Sequence, residues 1–371
     1  MIPVTYFRSS SIKEYESCPL RYFANFNLGL KYPSGPSAMA GTIFHKIMEI
    51  LAQLKISQQE KEQRNHEWGL YCDEETKMSF SFVDIATIDI DKLTESIYEF
   101  YIKDIDPARV PKTYQRKTPE ASVKAWIPLK KIKQSVENVM AMQPRSFDVR
   151  NMNVFAIERK FDIEIKEDWA KYDFTFRNKH YQGHLRIKGS IDLVIEREDG
   201  SLEIIDWKSG NSLNLDTNEE KTYDDYYNDI QLQLYYWAIR KLYPEREISA
   251  VTIVFLNESK CFSITYDDEN IITNRIRSIY EEMQQATRPA KIDSEFCMRF
   301  CPYCKNDFST VITKPLVKPR EYIWTNEAGL NEYRQYKMCG QLNLYLENYS
   351  PLEVMESIAR YGFNIGEYVN T

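Results

Sequence analysis

The stretch GSIDLVIEREDGSLEIIDWKSG, residues 189–210, constrains this chain more than any other. Two apolar, β-branched runs flank Asp199-Gly200, a dipeptide that turns antiparallel strands back on each other, so a β-hairpin is predicted. Both runs carry acid. Asp192 lies inside Ile191-Asp192-Leu193-Val194-Ile195, where an unpaired charge is costly, and Asp206-Trp207-Lys208 ends the second run. Register then becomes a condition. A two-residue loop at Asp199-Gly200 would set Asp192 opposite Trp207 and turn Lys208 to the other face. An odd loop or a bulge, with Gly200 in the left-handed position, lets Asp192, Asp206 and Lys208 share a face, and that geometry is expected. Two carboxylates and a lysine so placed suit Mg²⁺ or Mn²⁺ beside a phosphodiester, because carboxylate oxygens match a hard ion and the lysine meets developing negative charge.

Around this hairpin the patterning alternates between helix and strand. Ser11 and Glu14 stand at capping-box spacing and mark a helix start, and Pro19 ends that helix with Cys18 at its terminus. A second helix is predicted over about 38–54 from the stripe Ile43, Ile47, Ile50 and Leu54, with His45 and Glu49 sharing another face. Residues 57–150 are charged and mostly helical in pattern, and read as a helical insertion. Strand signals follow in MNVFAIERKFDIEI (152–165), HLRIKGSIDLVIE (184–196) and SLEIIDW (201–207). After an acidic loop come a helix in NDIQLQLYYWAIRKLY (228–243), a buried strand in SAVTIVFL (249–256) and a helix over 268–287. The organisation expected is an N-terminal part of the fold (1–56), the insertion (57–150), the core (151–290), a cysteine segment (291–312) and a C-terminal extension (313–371).

Composition sets outer limits. A net charge of -7 argues against a surface that is basic everywhere, yet permits a basic groove that follows a phosphate backbone. No charged-then-apolar leader is visible and no apolar run approaches the roughly 20 residues of a membrane span, so a cytoplasmic, reducing location is expected. Seven cysteines, an odd number, fit that compartment better than a disulfide framework. Cys297, Cys301 and Cys304 cluster as C-x3-C-x2-C, which points to metal ligation, whereas Cys72, Cys261 and Cys339 read as ordinary thiols.

Five short motifs occur in order: CPLRYF (18–23), GTIFHKIME (41–49), GSIDLV (189–194), IIDWKSG (204–210) and QLQLY (231–235). This ordered set resembles the RecB-like branch of the PD-(D/E)xK nuclease superfamily, over the first fifty residues and about 151–310. The resemblance implies an α/β fold with a restriction-endonuclease-like core, a mixed central sheet flanked by helices. It implies that Asp192 and Asp206 ligate Mg²⁺ or Mn²⁺, joined by His45 and the backbone carbonyl of Trp207. Lys208 would polarise the attacking water, and Gln231 and Tyr235, one helical turn apart, would orient substrate. On the residues alone, His45 also reads as a satisfied helix histidine, and Gln231 with Tyr235 as an interfacial pair. Glu49 reads as a solvated carboxylate, or one that supports a ligand from behind, rather than as a ligand itself, and Glu158 on the first strand is open between the same roles. Lys112, Tyr114, Arg116 and Lys117 read either as a DNA grip with a stacking ring or as a solvated face.

A subgroup of these nucleases, which includes the AddB-type helicase-nucleases and the CRISPR-associated exonucleases, holds a [4Fe-4S] cluster on one cysteine before the core and three after it. The resemblance assigns Cys18, Cys297, Cys301 and Cys304 to that role, with Zn²⁺ as the alternative occupant of four thiolates. The usual late spacing is C-x2-C-x5-C, which would place Thr310 at the third position, so Cys297 must compensate from the other side. The activity implied is metal-dependent DNA hydrolysis, with exonuclease action on single strands or duplex ends in recombination, repair or replication. Two other readings stand beside it: the nuclease arm of a helicase complex, whose motor would be another chain since no G-x-x-x-x-G-K-[ST] occurs, and a catalytically silent DNA-binding scaffold. DNA and RNA are not separable as substrates at this level.

Overall fold

The computed structural model describes residues 1–29, 35–214, 217–292, 301–305 and 338–359. Along the chain run strand β1 (Tyr6–Phe7), helices α1 (Ser9–Ser17), α2 (Pro19–Tyr22) and α3 (Pro36–Gln63), and strands β2 (Gly69–Cys72) and β3 (Ser79–Phe82). Helices α4 (Ile90–Ile102), α5 (Pro119–Trp126) and α6 (Leu129–Met140) come next. Strands β4 (Val154–Glu164), β5 (Lys171–Phe176), β6 (Lys179–His184), β7 (Arg186–Glu196) and β8 (Leu202–Lys208) follow. Then come α7 (Tyr223–Tyr227), α8 (Ile230–Leu242), β9 (Ile248–Phe255), β10 (Lys260–Ile264) and α9 (Glu269–Gln285). Helices α10 (Pro302–Lys305), α11 (Met338–Asn348) and α12 (Pro351–Ala359) end the described chain.

Strand β7 is the axis of the central sheet. β4 lies antiparallel along one edge of it, and the other edge is divided between β1, parallel near Arg186, and β8, antiparallel near Glu196. β8 pairs in parallel with β9 after the crossover through α7 and α8, and β10 closes the sheet antiparallel to β9. The sheet is therefore mixed. One face packs Ile187, Ile191 and Ile204 against α1, α8 and α9, while Leu193, Ile205, Trp207 and Val254 on the other pack against α3, α4 and α6. The α/β fold expected from the sequence is present, a mixed sheet with helices on both faces.

Local chemistry accounts for most element boundaries and for the places where the sequence misled. The α3 stripe Ile43, Ile47, Ile50 and Leu54 is fully buried, each side chain contributing about 1.5–3 kcal/mol of burial. The helix itself is longer than 38–54 suggested. Helix α1 begins at Ser9, so Ser11 is not its cap; from the third helical position its hydroxyl accepts the N–H of Arg8 at 2.8 Å. Residues 57–150 are not purely helical, since β2 and β3 form a hairpin that Lys46 of α3 anchors through a 2.7 Å ion pair with Asp73. The β5–β6 hairpin also escaped the sequence reading. Its two-residue turn, Arg177-Asn178, has φ values of 52° and 59°, a conformation that lacks its usual Asn-Gly signature here.

A third, smaller core joins α2, β5–β6, α10, α11 and α12 through Leu20, Phe23, Phe176, Leu342 and Val354. No helix among the described residues is long and apolar enough to cross a membrane.

Candidate active site

The hairpin register decides whether a site forms. Pairs Leu193↔Ile205, Val194↔Ile204 and Ile195↔Glu203 set Asp192 across from Asp206, not from Trp207. The loop responsible is odd: Arg197 bonds Ser201 backbone to backbone, Gly200 donates to the Arg197 carbonyl, and Gly200 has φ 81°. That is a type I turn followed by a left-handed glycine, as the sequence required. Beyond Leu193 the ladder opens, and the Asp192 carboxylate takes the Trp207 N–H at 2.9 Å.

Glu158 enters through a backbone irregularity. In a regular strand Ile157 and Phe161 would share a face, yet Ile157 packs with the α3 side and Phe161 with the α8 side. Ile191 and Leu193 on β7 reverse in the same way. Glu158 sits at the switch with φ 43°, between the pairs Ile157↔Leu193 and Arg159↔Ile191. Its carboxylate, the Asp192 carboxylate and a nitrogen of His45 lie within 4.8 Å of one another. The sequence left Glu158 undecided because left-handed backbone at a non-glycine residue leaves no pattern to read.

Helix α3 delivers His45 from the opposite side. Its Nε2 lies 3.2 Å from the Trp207 carbonyl, which can only accept, so Nε2 carries the ring proton. Burial lowers the His45 pKa, so the ring is neutral and Nδ1 presents a lone pair 3.6 Å from Asp192 Oδ2. A neutral Nδ1 and a carboxyl oxygen at that separation hold either a proton or a cation between them. Burial, followed by the charge of Asp206, pushes the Asp192 carboxyl well above the usual carboxylate range, and burial with Asp192 raises Glu158. These oxygen and nitrogen donors fit a divalent cation.

Asp206, fully buried, stands beside that group with other partners. Its Oδ1 accepts from Lys208 Nζ at 2.9 Å and from Gln231 Nε2 at 3.1 Å, while Oδ2 pairs with Lys208 at 2.7 Å without hydrogen-bond geometry. Burial alone would lower the Lys208 pKa; the charges of Asp206 and Asp192 outweigh it and raise it, keeping the ammonium protonated. Gln231 also reaches the Tyr235 hydroxyl at 2.8 Å, so α8 presents both side chains to the carboxylates. Gly41 makes the approach of α3 possible, because a Cβ there would stand 2.9 Å from Ser209 Oγ. The resulting cleft, about 470 Å³, is bordered by His45, Glu49, Glu158, Lys208 and Ser209. Glu49 is tied to Lys46 at 3.1 Å. Lys112, Arg116 and Lys117 are exposed away from the cleft, and Arg116 donates to its own backbone neighbourhood at Gln115.

A second constellation lies at the third core. Cys18, Cys301, Cys304 and Cys339 border one cavity, and the Cys304 and Cys339 sulfurs are 3.3 Å apart. The expectation that Cys339 is an isolated thiol is thereby corrected: α11 packs against α2 and α10 and carries it in. Its distance in sequence hid it. Cys297 and Thr310 lie outside the described residues. Cys72 is exposed on β2 and Cys261 lies on β10, away from this cavity.

No curated protein sequence matches the chain. A solved structure described as the crystal structure of SSO0001 is similar at 17% identity and a TM-score of 0.24, over 53% of this chain and 76% of that one. A family model described as the PD-(D/E)XK nuclease superfamily matches residues 9–305, a span that contains His45, the odd-looped hairpin and α8. The chain belongs to the PD-(D/E)XK nuclease superfamily.

Proposed function

We propose that the protein is a Mg²⁺- or Mn²⁺-dependent deoxyribonuclease of the RecB-like branch, acting as an exonuclease on single strands or duplex ends. The observation that carries the reading is the convergence of His45, Glu158 and Asp192 beside the Asp206–Lys208 pair. His45, Glu158 and Asp192 would hold the cation, with the Asp206 Oδ2 atom that lacks a hydrogen bond beside them, and the cation would supply Lewis-acid polarisation of the phosphate and neutralise charge. The Lys208 ammonium donates to a phosphate oxygen or to the attacking water as it exchanges its bond with Asp206. Gln231 fixes the Asp206 carboxylate and Tyr235 fixes Gln231, so the pair orients the site without taking a proton. Burial, then the charges of Asp206 and Asp192, raises the Tyr235 pKa far above its ordinary value, so its hydroxyl stays protonated. A role in recombination, repair or replication, with a separate helicase as partner, follows from the RecB-like assignment. The test is digestion of 5′- and 3′-labelled single- and double-stranded DNA with Mn²⁺. Products shortened from one end support the reading, and intact DNA under all four conditions removes it.

The second part of the reading is a [4Fe-4S] cluster on Cys18, Cys301, Cys304 and Cys339, in place of the set containing Cys297. Four sulfurs bordering one cavity match the donor number such a cluster takes, and Arg21 and Lys291 beside them offset thiolate charge.

The raised carboxyls give a pH dependence with a definite sign. A carboxyl whose pKa is higher in the folded state binds protons that the unfolded chain releases, so this site's contribution to metal-free stability falls as pH climbs above about 4. It levels off once Asp192 and Glu158 have ionised. Mn²⁺ replaces those protons and therefore raises Tm more at pH above about 7 than at pH about 5. Differential scanning fluorimetry with and without Mn²⁺ checks this; an equal shift at both pH values would place the cation elsewhere.

A further inference from the structure

The catalytic cleft continues past Ser209. A second groove of about 500 Å³ lies between the first turns of α3, the α5–α6 corner and the end of β9, and Ser209 borders both spaces. The ridge between them presents short side chains to both spaces. It consists of the N-terminal turns of α3, where Ala38 and Gly41 face the cleft and Ser37 and Ala40 face the groove, none with a long side chain. The groove is fixed to the catalytic strand, since Asn257 Nδ2 donates to the Ser209 carbonyl at 2.7 Å. From α6, Asn138 Nδ2 donates to the Leu256 carbonyl at 2.9 Å.

Its lining is unlike that of the cleft. Tyr114, 40% exposed, and Lys131 stand at the opening, with Trp126 and Pro128 among the deeper contributors and Gln134 on the wall. That combination offers a ring for stacking, a cation for a phosphate and, since Gln134 Nε2 donates to Asn138 Oδ1 at 3.0 Å, the Gln134 amide carbonyl for a base edge. The volume falls within the about 300–1,000 Å³ typical of ligand sites. Lys131 and the N-terminal end of the α3 dipole place positive charge along the path to Lys208.

We infer that this groove receives an unstacked nucleobase of single-stranded DNA, whose backbone crosses the α3 ridge to set the neighbouring phosphate beside Lys208. The inference rests on the nuclease reading above and narrows its substrate to a strand with free bases, because paired bases stay stacked and do not enter a side groove. Tyr114, which the sequence marked as a stacking ring within a basic run, is the one member of that run bordering the groove.

The test separates the groove from the chemistry. Asp206→Asn protein is photocrosslinked to oligothymidylate carrying one 4-thiothymidine, and the adduct is mapped by mass spectrometry. Adducts on Tyr114, Trp126 or the α6 segment are expected. In fluorescence anisotropy with Ca²⁺, Tyr114→Ala is expected to bind oligothymidylate about tenfold more weakly, Tyr114→Phe to bind as wild type, and binding of a closed hairpin duplex to be unchanged. Adducts confined to other surfaces, unaltered Tyr114→Ala affinity, or an equal loss on the duplex would each overturn the base groove. Adducts in the groove of a protein that hydrolyses no DNA would sink the nuclease reading and leave the groove standing. Hydrolysis of single strands by wild type, with Tyr114→Ala binding undiminished, would do the reverse.

Discussion

Asp206→Asn protein is expected to lose on the order of a thousandfold of Mn²⁺-dependent DNA hydrolysis while keeping its fold. Asp206 has no exposed surface, and its Oδ1 holds both Lys208 and Gln231. Asparagine keeps the shape and removes the charge, so the neighbouring Asp192, held protonated by burial and by Asp206, ionises more readily and takes over Lys208. The metal-free Tm therefore changes by only a few degrees. What disappears with activity is the cation-induced rise in Tm, a linkage effect worth about 2.7 kcal/mol at a hundredfold excess over Kd. Lys208→Ala is expected to divide the two readouts. It loses at least about a hundredfold in rate, yet keeps the Mn²⁺-induced Tm shift, because removing a positive charge beside carboxylates strengthens cation binding. Undiminished digestion by either variant, or a Tm shift lost in both, would refute this division of labour.

The hairpin was legible because its constraint is arithmetical. Strand side chains alternate with a period of two, so the charge pattern in Asp192 and Asp206-Trp207-Lys208 left room for an odd loop and excluded an even one, and Gly200 supplied the needed backbone. The helices bearing His45 and Gln231 were legible from apolar periodicity. Glu158 was not, since what places it beside Asp192 is a left-handed residue in mid-strand that reverses two pleats, and such a conformation has no compositional mark at glutamate. The β5–β6 hairpin was hidden for a related reason, with arginine and asparagine occupying turn positions usually marked by glycine. Cys339 was invisible for a third reason. Short-range spacing identifies ligands that share a loop, whereas Cys339 reaches Cys304 through tertiary packing of α11 on α2.

That packing makes Cys339→Ser the second large effect. If Cys18, Cys301, Cys304 and Cys339 hold the cluster, replacing Cys339 removes a ligand and also the link between the C-terminal helices and α2. Structural Zn²⁺ contributes about 10–16 kcal/mol in zinc-finger peptides, which sets the scale for a four-cysteine site. Losing one ligand of four is expected to cost about 5 kcal/mol here and to lower Tm by about 10 °C. The anaerobically purified variant should be colourless and short of iron, whereas Cys297→Ser should remain brown and as stable as wild type. The opposite pairing, a brown Cys339→Ser and a colourless Cys297→Ser, would return the ligand set to the one the C-x3-C-x2-C spacing favours. Zinc in place of iron, found in wild-type protein by elemental analysis, would keep the four sulfurs and change their occupant. The two sites also separate when Tm and activity are read together: Cys339→Ser protein loses stability before activity, whereas Asp206→Asn loses activity with its metal-free Tm within a few degrees of wild type. Cys18, Cys301, Cys304 and Cys339 lie in or against a core of their own, and the carboxylates lie where the β7–β8 ladder opens.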